Sequence, residues 1–417
     1  MNNTYLKFGL LILAFIALPF IVNAVPYLGP SWVRILGFAM LYVLLALGLN
    51  IVIGYAGLLD MGYIGFYAVG AYLYALLSSP HLSMAGLAAG VMNWPIWLII
   101  PMAAALAGLC GVLLGAPVLK LRGDYLAIVT LGFGEIIRIF MNNLDQPVNV
   151  TNGPQGISSI APIHIDAGAW SYAAGEAPHA LFSLHSKWSL FGLQVTPVIN
   201  YYLFFLLIVI FAIVMSKRLE NSRIGRAWMA LREDEVAAEA MGLNKRNIKL
   251  LAFGMGATFG GVSGSLFASY QGFVSPESFT LMESIMVLAM VVLGGMGSIR
   301  GVVLGALVLS VMPELFRDLV NWVQPVIMDN VTFISRDVLR NILDASTLRM
   351  LAFGIALVLV MRFRPEGLWP SGRRRAELHD KDDDPEAKTL GSSASAEASK
   401  AGRSTSTVHF HRGEAKA

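Results

Sequence analysis

Two charged residues inside one apolar run are the first candidates for chemistry in this sequence. Glu135 and Arg138 stand three residues apart in the segment 124–142, so on a helix their side chains share one face and can form an ion pair. An unpaired charge in the middle of a membrane span costs roughly 3 kcal/mol, which makes such residues functional candidates by default. Two interpretations stay open: a structural ion pair that joins two helices, and a role beside a transport path.

The common motifs of catalytic and metal sites are missing from this sequence. It contains no Gly-Lys dipeptide, hence no P-loop lysine, and no H-E-x-x-H or G-x-S-x-G motif. His164, His179 and His185 fall in one loop without the spacing of metal ligands, which predicts solvated histidines. Cys110 is the only cysteine and cannot form an intrachain disulfide. We therefore expect no catalytic residue, no metal and no cofactor on this chain.

The elements that position these residues must lie in a bilayer, because the chain is too apolar for a water-soluble globule. Of its 417 residues, 56% are hydrophobic and 14% are charged, and the mean hydropathy is +0.64. Of the 30 basic and 27 acidic residues, 19 fall in 364–417. This divides the chain into a membrane domain, 1–363, and a tail, 364–417. The tail is too polar to form a packed core, so we expect it to be disordered. The net charge of +3 is too small to indicate a nucleic-acid partner.

Ten apolar segments are candidates for membrane-spanning helices. A bilayer core takes about 20 residues of helix, and backbone polar groups in lipid must pair within their own helix. The segments are 8–25, 33–53, 58–78, 95–117, 124–142, 199–216, 247–269, 281–297, 301–318 and 348–362. They predict an all-α polytopic bundle of about ten transmembrane helices in contact with membrane lipid. The first segment also has features of a cleavable signal peptide, although its length favours an uncut span.

The placement of lysine and arginine predicts the orientation of the bundle. Eight basic residues fall within 216–249, and others lie in 118–123 and directly after the last span. Basic residues collect on the cytoplasmic side, so an even number of spans should separate these three stretches. Ten spans satisfy this condition with both termini and the tail in the cytoplasm. The loop 143–198 is then expected outside.

The cytoplasmic loop 217–247 contains the most informative amphipathic pattern. One helix from Gly225 to Gly242 would place an apolar strip on one face, with charges of both signs elsewhere. The strip consists of Ala227, Trp228, Leu231, Ala238 and Met241. Such a strip suits a groove on a soluble partner. A helix on a membrane surface usually has a basic polar face, and this alternative stays open.

Glycine spacing supplies two further patterns. Gly256, Gly260 and Gly264 recur every four residues and predict a groove for close helix packing, with a substrate-lining backbone as the alternative. The segments 132–134 and 294–297 are also rich in glycine and lie in spans that run in opposite directions. They are expected to interrupt those spans, as an inverted repeat of five plus five helices would require.

The run Arg226–Gly242 resembles the cytoplasmic coupling loop of ABC-importer permeases, in the version carried by branched-chain amino-acid permeases of the LivM type. Ala237, Ala238 and Gly242 fit the general Glu-Ala-Ala-x-x-x-Gly pattern, and Val236 stands where the glutamate would be. Four other blocks carry the same resemblance, which covers roughly residues 30 to 370. They are Leu119–Arg138, Gln271–Phe279, Val291–Ser298 and Arg364–Pro370.

The resemblance implies a system of several chains in the bacterial inner membrane. This permease would form a heterodimer with a homologous second permease, two cytoplasmic ATPase subunits would hydrolyse ATP, and a periplasmic substrate-binding protein would deliver leucine, isoleucine or valine. The coupling loop would transmit ATPase closure to the membrane helices. Its expected contact residues are Arg226, Trp228, Arg232, Glu233, Asp234, Glu235, Ala238 and Gly242.

The substrate implied by the resemblance is a zwitterion with an apolar side chain. Its path should offer apolar walls, and backbone polar groups exposed at glycine-rich segments should meet the charged ends. The expected path residues are Phe133, Gly134, Glu135, Gly294 and Gly295. A permease of this family for urea, short amides or other amino acids, and a stand-alone secondary transporter, are the alternatives.

Overall fold

The computed structural model describes most of the first 330 residues. These are 3–24, 29–84, 86, 94–119, 121, 124–164, 184, 188–190 and 193–330, together with 354, 355, 358, 362, 363 and 367–369. All of them belong to the unit Met1–Pro370. The predicted last span, 348–362, and the predicted tail, 364–417, fall almost wholly outside the described residues.

Helices make up most of the described chain. They are α1 (Asn3–Ala24), α2 (Gly29–Asn50), α3 (Ile64–Leu77), α4 (His81–Met84), α5 (Ile96–Val118), α6 (Asp124–Asn142), α7 (Pro197–Glu220), α8 (Arg223–Glu233), α9 (Glu235–Ala240), α10 (Lys245–Gln271), α11 (Leu281–Gly294) and α12 (Ile299–Asn330). A π-helical turn, Ile51–Tyr55, continues α2. The predicted all-α membrane bundle is confirmed.

Seven helices of the described chain are long and apolar enough to cross a membrane, and α2 with its π turn is the first. The shorter apolar helices are Leu13–Asn23 within α1, and α3. α3 begins at Ile64, six residues later than the predicted span 58–78. The residues before it form a turn in which Asp60 Oδ1 accepts a hydrogen bond from Gly62 N at 2.9 Å. An aspartate that bonds the backbone two residues on favours a turn over a helix.

α10 packs closely against its neighbours through its glycines. Gly256 lies against Val52 in the π turn after α2, and Gly260 and Gly264 lie against Phe66 and Tyr67 of α3. A side chain at Gly264 would overlap the carbonyl oxygen of Tyr67. Small residues let helix backbones approach in this way, and in lipid such packing replaces the hydrophobic effect as the force between helices.

The apolar surface of the bundle is divided between a buried core and exposed outer faces. The core includes large aromatic side chains at and after the start of α3 and in α7, among them Tyr63, which precedes α3, and Tyr72, Tyr74, Tyr202 and Phe205. The outer faces of α5, α6 and α7 expose side chains such as Leu113, Phe140 and Phe211. A bilayer accepts these faces at no cost, because lipid tails are as apolar as leucine.

The loop after α6 is held to the turn that follows α10. β1 (Ile157–Ser158) pairs antiparallel with β4 (Phe273–Val274), so that Ile157 lies opposite Val274. A separate antiparallel hairpin joins β2 (Trp188–Leu190) to β3 (Leu193–Val195). This part of the predicted outer loop is therefore folded against the bundle.

His164 departs from the prediction of solvated loop histidines. Its side chain is 2% exposed, and its backbone oxygen accepts a hydrogen bond from Ile96 N at the start of α5. The prediction is wrong here because apolar neighbours, including Ile163, draw this stretch of the loop into the core. His179 and His185 lie outside the described residues.

Replacing Gly264 by alanine tests the close packing of α10. The new methyl group would overlap the Tyr67 carbonyl, so the helices must separate at a cost of about 1–3 kcal/mol. We expect a lower melting temperature for the detergent-solubilised Gly264→Ala protein. Gly132→Ala is the matched control, since a methyl group at Gly132 meets nothing within 4 Å. Equal melting temperatures for the two variants would contradict the packing described here.

Candidate coupling segment and substrate path

The coupling segment, residues 223–242, folds as two short helices. α8 and α9 are separated by Asp234, whose backbone is extended. Its carboxylate accepts hydrogen bonds from Val236 N at 2.8 Å and Ala237 N at 3.0 Å. Asp234 is therefore the N-cap of α9. The prediction of one continuous helix is wrong, because an aspartate that satisfies the first amides of a new helix ends the previous one.

The two outer ends of the coupling segment also have recognisable caps. The Ser222 hydroxyl accepts a hydrogen bond from Gly225 N at 3.1 Å, so α8 begins at Arg223, two residues before the predicted start. Gly242 has φ +87°, a conformation that favours glycine after a helix end. The predicted stop at Gly242 therefore agrees with the backbone.

Trp228 fixes α8 to the membrane helices. Its side chain is fully buried, and Nε1 donates a hydrogen bond to the Ile248 carbonyl oxygen at 2.8 Å. The surrounding cluster includes Tyr55, at the end of the π turn, and Phe253 of α10. Leu231 and Ala238 of the predicted strip are buried as well, but Met241 is 85% exposed. Because the chain changes direction at Asp234, Met241 does not lie on the same face as Trp228 and Leu231, as it would in a single helix.

Arg232 links the coupling segment to two transmembrane helix ends. Its Nη1 donates a hydrogen bond to the Gly54 carbonyl oxygen in the π turn at 2.6 Å. Gly297, in the turn between α11 and α12, lies against both Gly54 and the Arg232 guanidinium. Gly297 N also donates to Asn50 Oδ1 at 2.8 Å. One guanidinium thus contacts the end of α2 and the turn after α11 together.

Two ion pairs hold α9 to the start of α10. Lys249 is buried and pairs with Glu235, and Lys245 Nζ lies 2.7 Å from Glu239 Oε2. The Lys249 pair is the more enclosed of the two, so solvent screens it less. The inner face of the coupling segment is therefore attached to the bundle at both α8 and α9.

The outer face of the coupling segment is exposed and mixed in chemistry. It presents two apolar side chains, Val236 at 76% and Met241 at 85% exposure. Arg226 and Glu233 are exposed on the neighbouring turns. An exposed apolar pair with charges of both signs around it has the composition of a protein-binding surface.

The predicted path residues fall into two groups at different places. Phe133 and Gly134 lie in α6, where Phe133 lines a small cavity and Gly134 packs against Gly62. Gly294 and Gly295 lie at the end of α11, beside the turn that Arg232 contacts. The first group therefore stands within α6, and the second stands at the end of α11. Gly134 also does not interrupt α6, which stays helical from Asp124 to Asn142.

Glu135 and Arg138 form the ion pair that their spacing predicts. Arg138 Nε lies 3.0 Å from Glu135 Oε1, and Arg138 Nη1 lies 3.0 Å from Glu277 Oε1 in the 3₁₀ turn Pro276–Ser278 before α11. The arginine therefore bridges α6 to the start of α11. This geometry favours the structural interpretation of the pair.

Two backbone connections bring together blocks that lie far apart in the sequence. Leu368 N donates to the Leu293 carbonyl oxygen at 2.8 Å, and Trp369 N donates to the Gly294 carbonyl oxygen at 3.1 Å. These carbonyls end α11 and have no partner within their own helix. The end of α11 and residues 367–369 therefore meet beside the turn that Arg232 contacts.

Sequence reasoning missed Asp60 and Asn50. Both are buried, and both stand in apolar runs between Gly48 and Gly62. A polar or acidic residue within a predicted span is itself a signal of function, and this signal was present for each. Across the described chain, no group of three or more histidine, cysteine or acidic side chains is placed to hold a metal ion.

Comparison with known proteins gives the family of this chain. Residues 31–361 match the family described as branched-chain amino acid transport system / permease component. The chain belongs to this family. No solved structure matches it.

Members of the family resemble this chain to different degrees. The high-affinity branched-chain amino acid transport system permease protein LivM of Escherichia coli (strain K12) is 44% identical over 373 residues, 89% of this chain and 76% of the relative. A probable LivM permease of Methanocaldococcus jannaschii is 26% identical, over 79% and 90%. The LivH permease of Escherichia coli (strain K12) is 26% identical, over 66% and 81%.

Replacing Trp228 by alanine tests how this family member holds its coupling segment. Loss of the buried indole should cost about 3–5 kcal/mol locally, so α8 should detach more often from the bundle. We expect faster hydrogen–deuterium exchange across residues 223–240, with the transmembrane helices unchanged. Met241→Ala removes an exposed side chain nearby and should leave exchange as it is. Unchanged exchange in Trp228→Ala would contradict the anchoring role.

Proposed function

We propose that this chain is the transmembrane permease subunit of an ATP-driven importer that moves leucine, isoleucine or valine from the periplasm to the cytoplasm. The observation that carries the proposal is the two-sided coupling segment. Its inner face is bonded to helix ends through Trp228, Arg232 and Glu235, and its outer face is free for a partner. Membership of the branched-chain amino acid permease family supports the substrate class.

The coupling segment transmits force in this proposal. An ATPase subunit binds the outer face, where Arg226, Glu233, Val236 and Met241 are exposed. Closure of the ATPase then displaces α8 and α9 as one piece, since Asp234 caps α9 directly after α8 ends. Ala238 is buried and lets α9 lie close to its neighbours, and Gly242 forms the turn that ends the segment.

The remaining components follow from the chemistry that this chain lacks. ATP binding falls to two cytoplasmic ATPase subunits, because the sequence has no P-loop lysine. A homologous second permease completes a heterodimer, and the two relatives named LivM and LivH support such a pair. A periplasmic binding protein delivers the substrate. The chain itself is a non-catalytic subunit.

The proposed location is the bacterial inner membrane, with several passes and both termini in the cytoplasm. Two long helices, α6 and α7, separate the coupling segment from the α5–α6 turn, and basic residues collect at both sites, which supports a cytoplasmic location for each. The substrate path is proposed to run past Phe133, Gly134 and Glu135 and to reach the cytoplasm near Gly294 and Gly295.

ATP-driven uptake in proteoliposomes tests the function and its docking surface together. The full complex, with binding protein outside and ATP inside, should accumulate leucine. Val236→Glu places an unpaired charge in the proposed docking face and Glu233→Lys reverses one, so each should reduce ATPase retention and uptake by tenfold or more. Gln155→Glu adds the same single negative charge as Val236→Glu, but on the opposite side of the membrane, and should leave uptake unchanged.

Two results would reject the proposal. Leucine flux through this chain alone under an ion gradient would favour a secondary transporter. Normal uptake in both Val236→Glu and Glu233→Lys would show that the ATPase does not bind the coupling segment. Uptake of urea or a short amide in place of leucine would keep the mechanism and change the substrate.

A further inference from the structure

Asp60 is an acidic residue buried in the interior without a counterion. Its side chain is 2% exposed and lies in the loop between the π turn and α3. Oδ1 accepts the hydrogen bond from Gly62 N, but Oδ2 is buried and has no partner in the described chain. The Thr130 hydroxyl, which donates to the Ala127 carbonyl oxygen and accepts from Met61 N, is the polar side-chain group beside this carboxylate.

The loop that carries Asp60 lies near the middle of the membrane. Gly62 packs against Thr130 and Gly134, which stand in α6. At a rise of 1.5 Å per residue they lie about 9–15 Å from the start of that helix, roughly half the thickness of the bilayer core. Loops at this depth are tolerated where they are buried in protein or line a cavity.

Asp60 lines a cavity of about 10 Å³, room for about one water molecule. Apart from Asp60, Gly62 and Thr130, the described lining is apolar and contains no basic residue. The apolar walls are Phe66, Leu114, Val118, Phe133, Ile137 and Phe253. An ammonium group is close to water in size, so the cavity admits an ammonium group and excludes a whole leucine in this conformation.

We propose that the Asp60 carboxylate binds the α-ammonium group of the transported amino acid, and that the apolar walls beside it receive the substrate's side chain. This inference rests on the proposed function and adds a substrate contact to it. The free Oδ2 supplies the acceptor that a protonated amine needs. Hard divalent cations take six or more oxygen ligands, which this apolar lining does not provide.

The wall that must move to admit the rest of the substrate is α6. Its opposite face is exposed along its length, with Ile136, Ile139 and Phe140 at 50–59% exposure. α6 therefore has fewer neighbours to displace than α3 or α10, which lie in the interior. Phe133, expected on the path from sequence alone, is on the cavity side of this same helix.

Asp60→Asn separates a binding role from a structural one. The amide oxygen can still accept from Gly62 N, while the buried charge is lost, so the variant should insert normally and melt at the same or a higher temperature. Leucine uptake at subsaturating concentration should fall roughly 10- to 100-fold, the value of one charged hydrogen bond. Asp145→Asn, in the exposed loop after α6, is the matched control and should keep normal uptake.

Site-directed labelling identifies the group that Asp60 binds. In a Cys110→Ala background the chain has no other cysteine, so Ile137→Cys places one reactive thiol in the cavity wall. In the assembled complex, leucine should slow its reaction with 2-aminoethyl methanethiosulfonate, and 4-methylpentanoate, which lacks the amino group, should not. Adding Asp60→Asn should reduce the protection by leucine at least tenfold.

Protection by leucine that survives Asp60→Asn would overturn the inference, as would equal protection by 4-methylpentanoate or no protection at all. Unchanged uptake by Asp60→Asn would overturn it too. These results leave the proposed function intact. Absence of ATP-driven leucine uptake by the unsubstituted complex would reject the proposed function, and this inference with it.

Discussion

The contact between the Arg232 guanidinium and the Gly54 carbonyl oxygen is the interaction on which the proposed coupling depends. The last carbonyls of a helix lack intrahelical partners and carry the negative end of its dipole, so a cation is favoured there. A charge-assisted bond of this kind is stronger than a neutral one. Because Gly297 lies against both groups, a shift of α8 acts on the end of α2 and on the turn after α11 together.

The close packing of the bundle decides what such a shift can do. α10 packs against Val52 and α3 through Gly256 and Gly264, which leave no space for a methyl group, so a displacement here must be shared among closely packed helices. Irregular backbone, the end of the π turn and the loop 56–63, connects Gly54, which Arg232 contacts, to the start of α3. Since Asp60 stands in that loop, the proposed substrate contact lies next to the π turn that Arg232 contacts.

The sequence predicted the bundle well because apolar length and glycine spacing are local properties. It predicted the buried face of the coupling segment through Trp228, Leu231 and Ala238. It missed the break at Asp234, because helix periodicity continues across a residue whose side chain caps the next helix. The Arg232–Gly54 bond joins residues 178 positions apart, and the contact between Met61 and Thr130 beside the Asp60 cavity joins residues 69 positions apart. Local patterns in one sequence do not indicate such distant pairings.

The ratio of ATP hydrolysed to leucine transported in an Arg232→Gln complex tests the central claim most directly. Glutamine keeps a polar side chain of similar length but loses the charge and the guanidinium geometry. If Arg232 carries the motion of the ATPase to the helix ends, hydrolysis should continue while uptake falls, and the ratio should rise at least tenfold. A ratio equal to that of the unsubstituted complex would contradict the account.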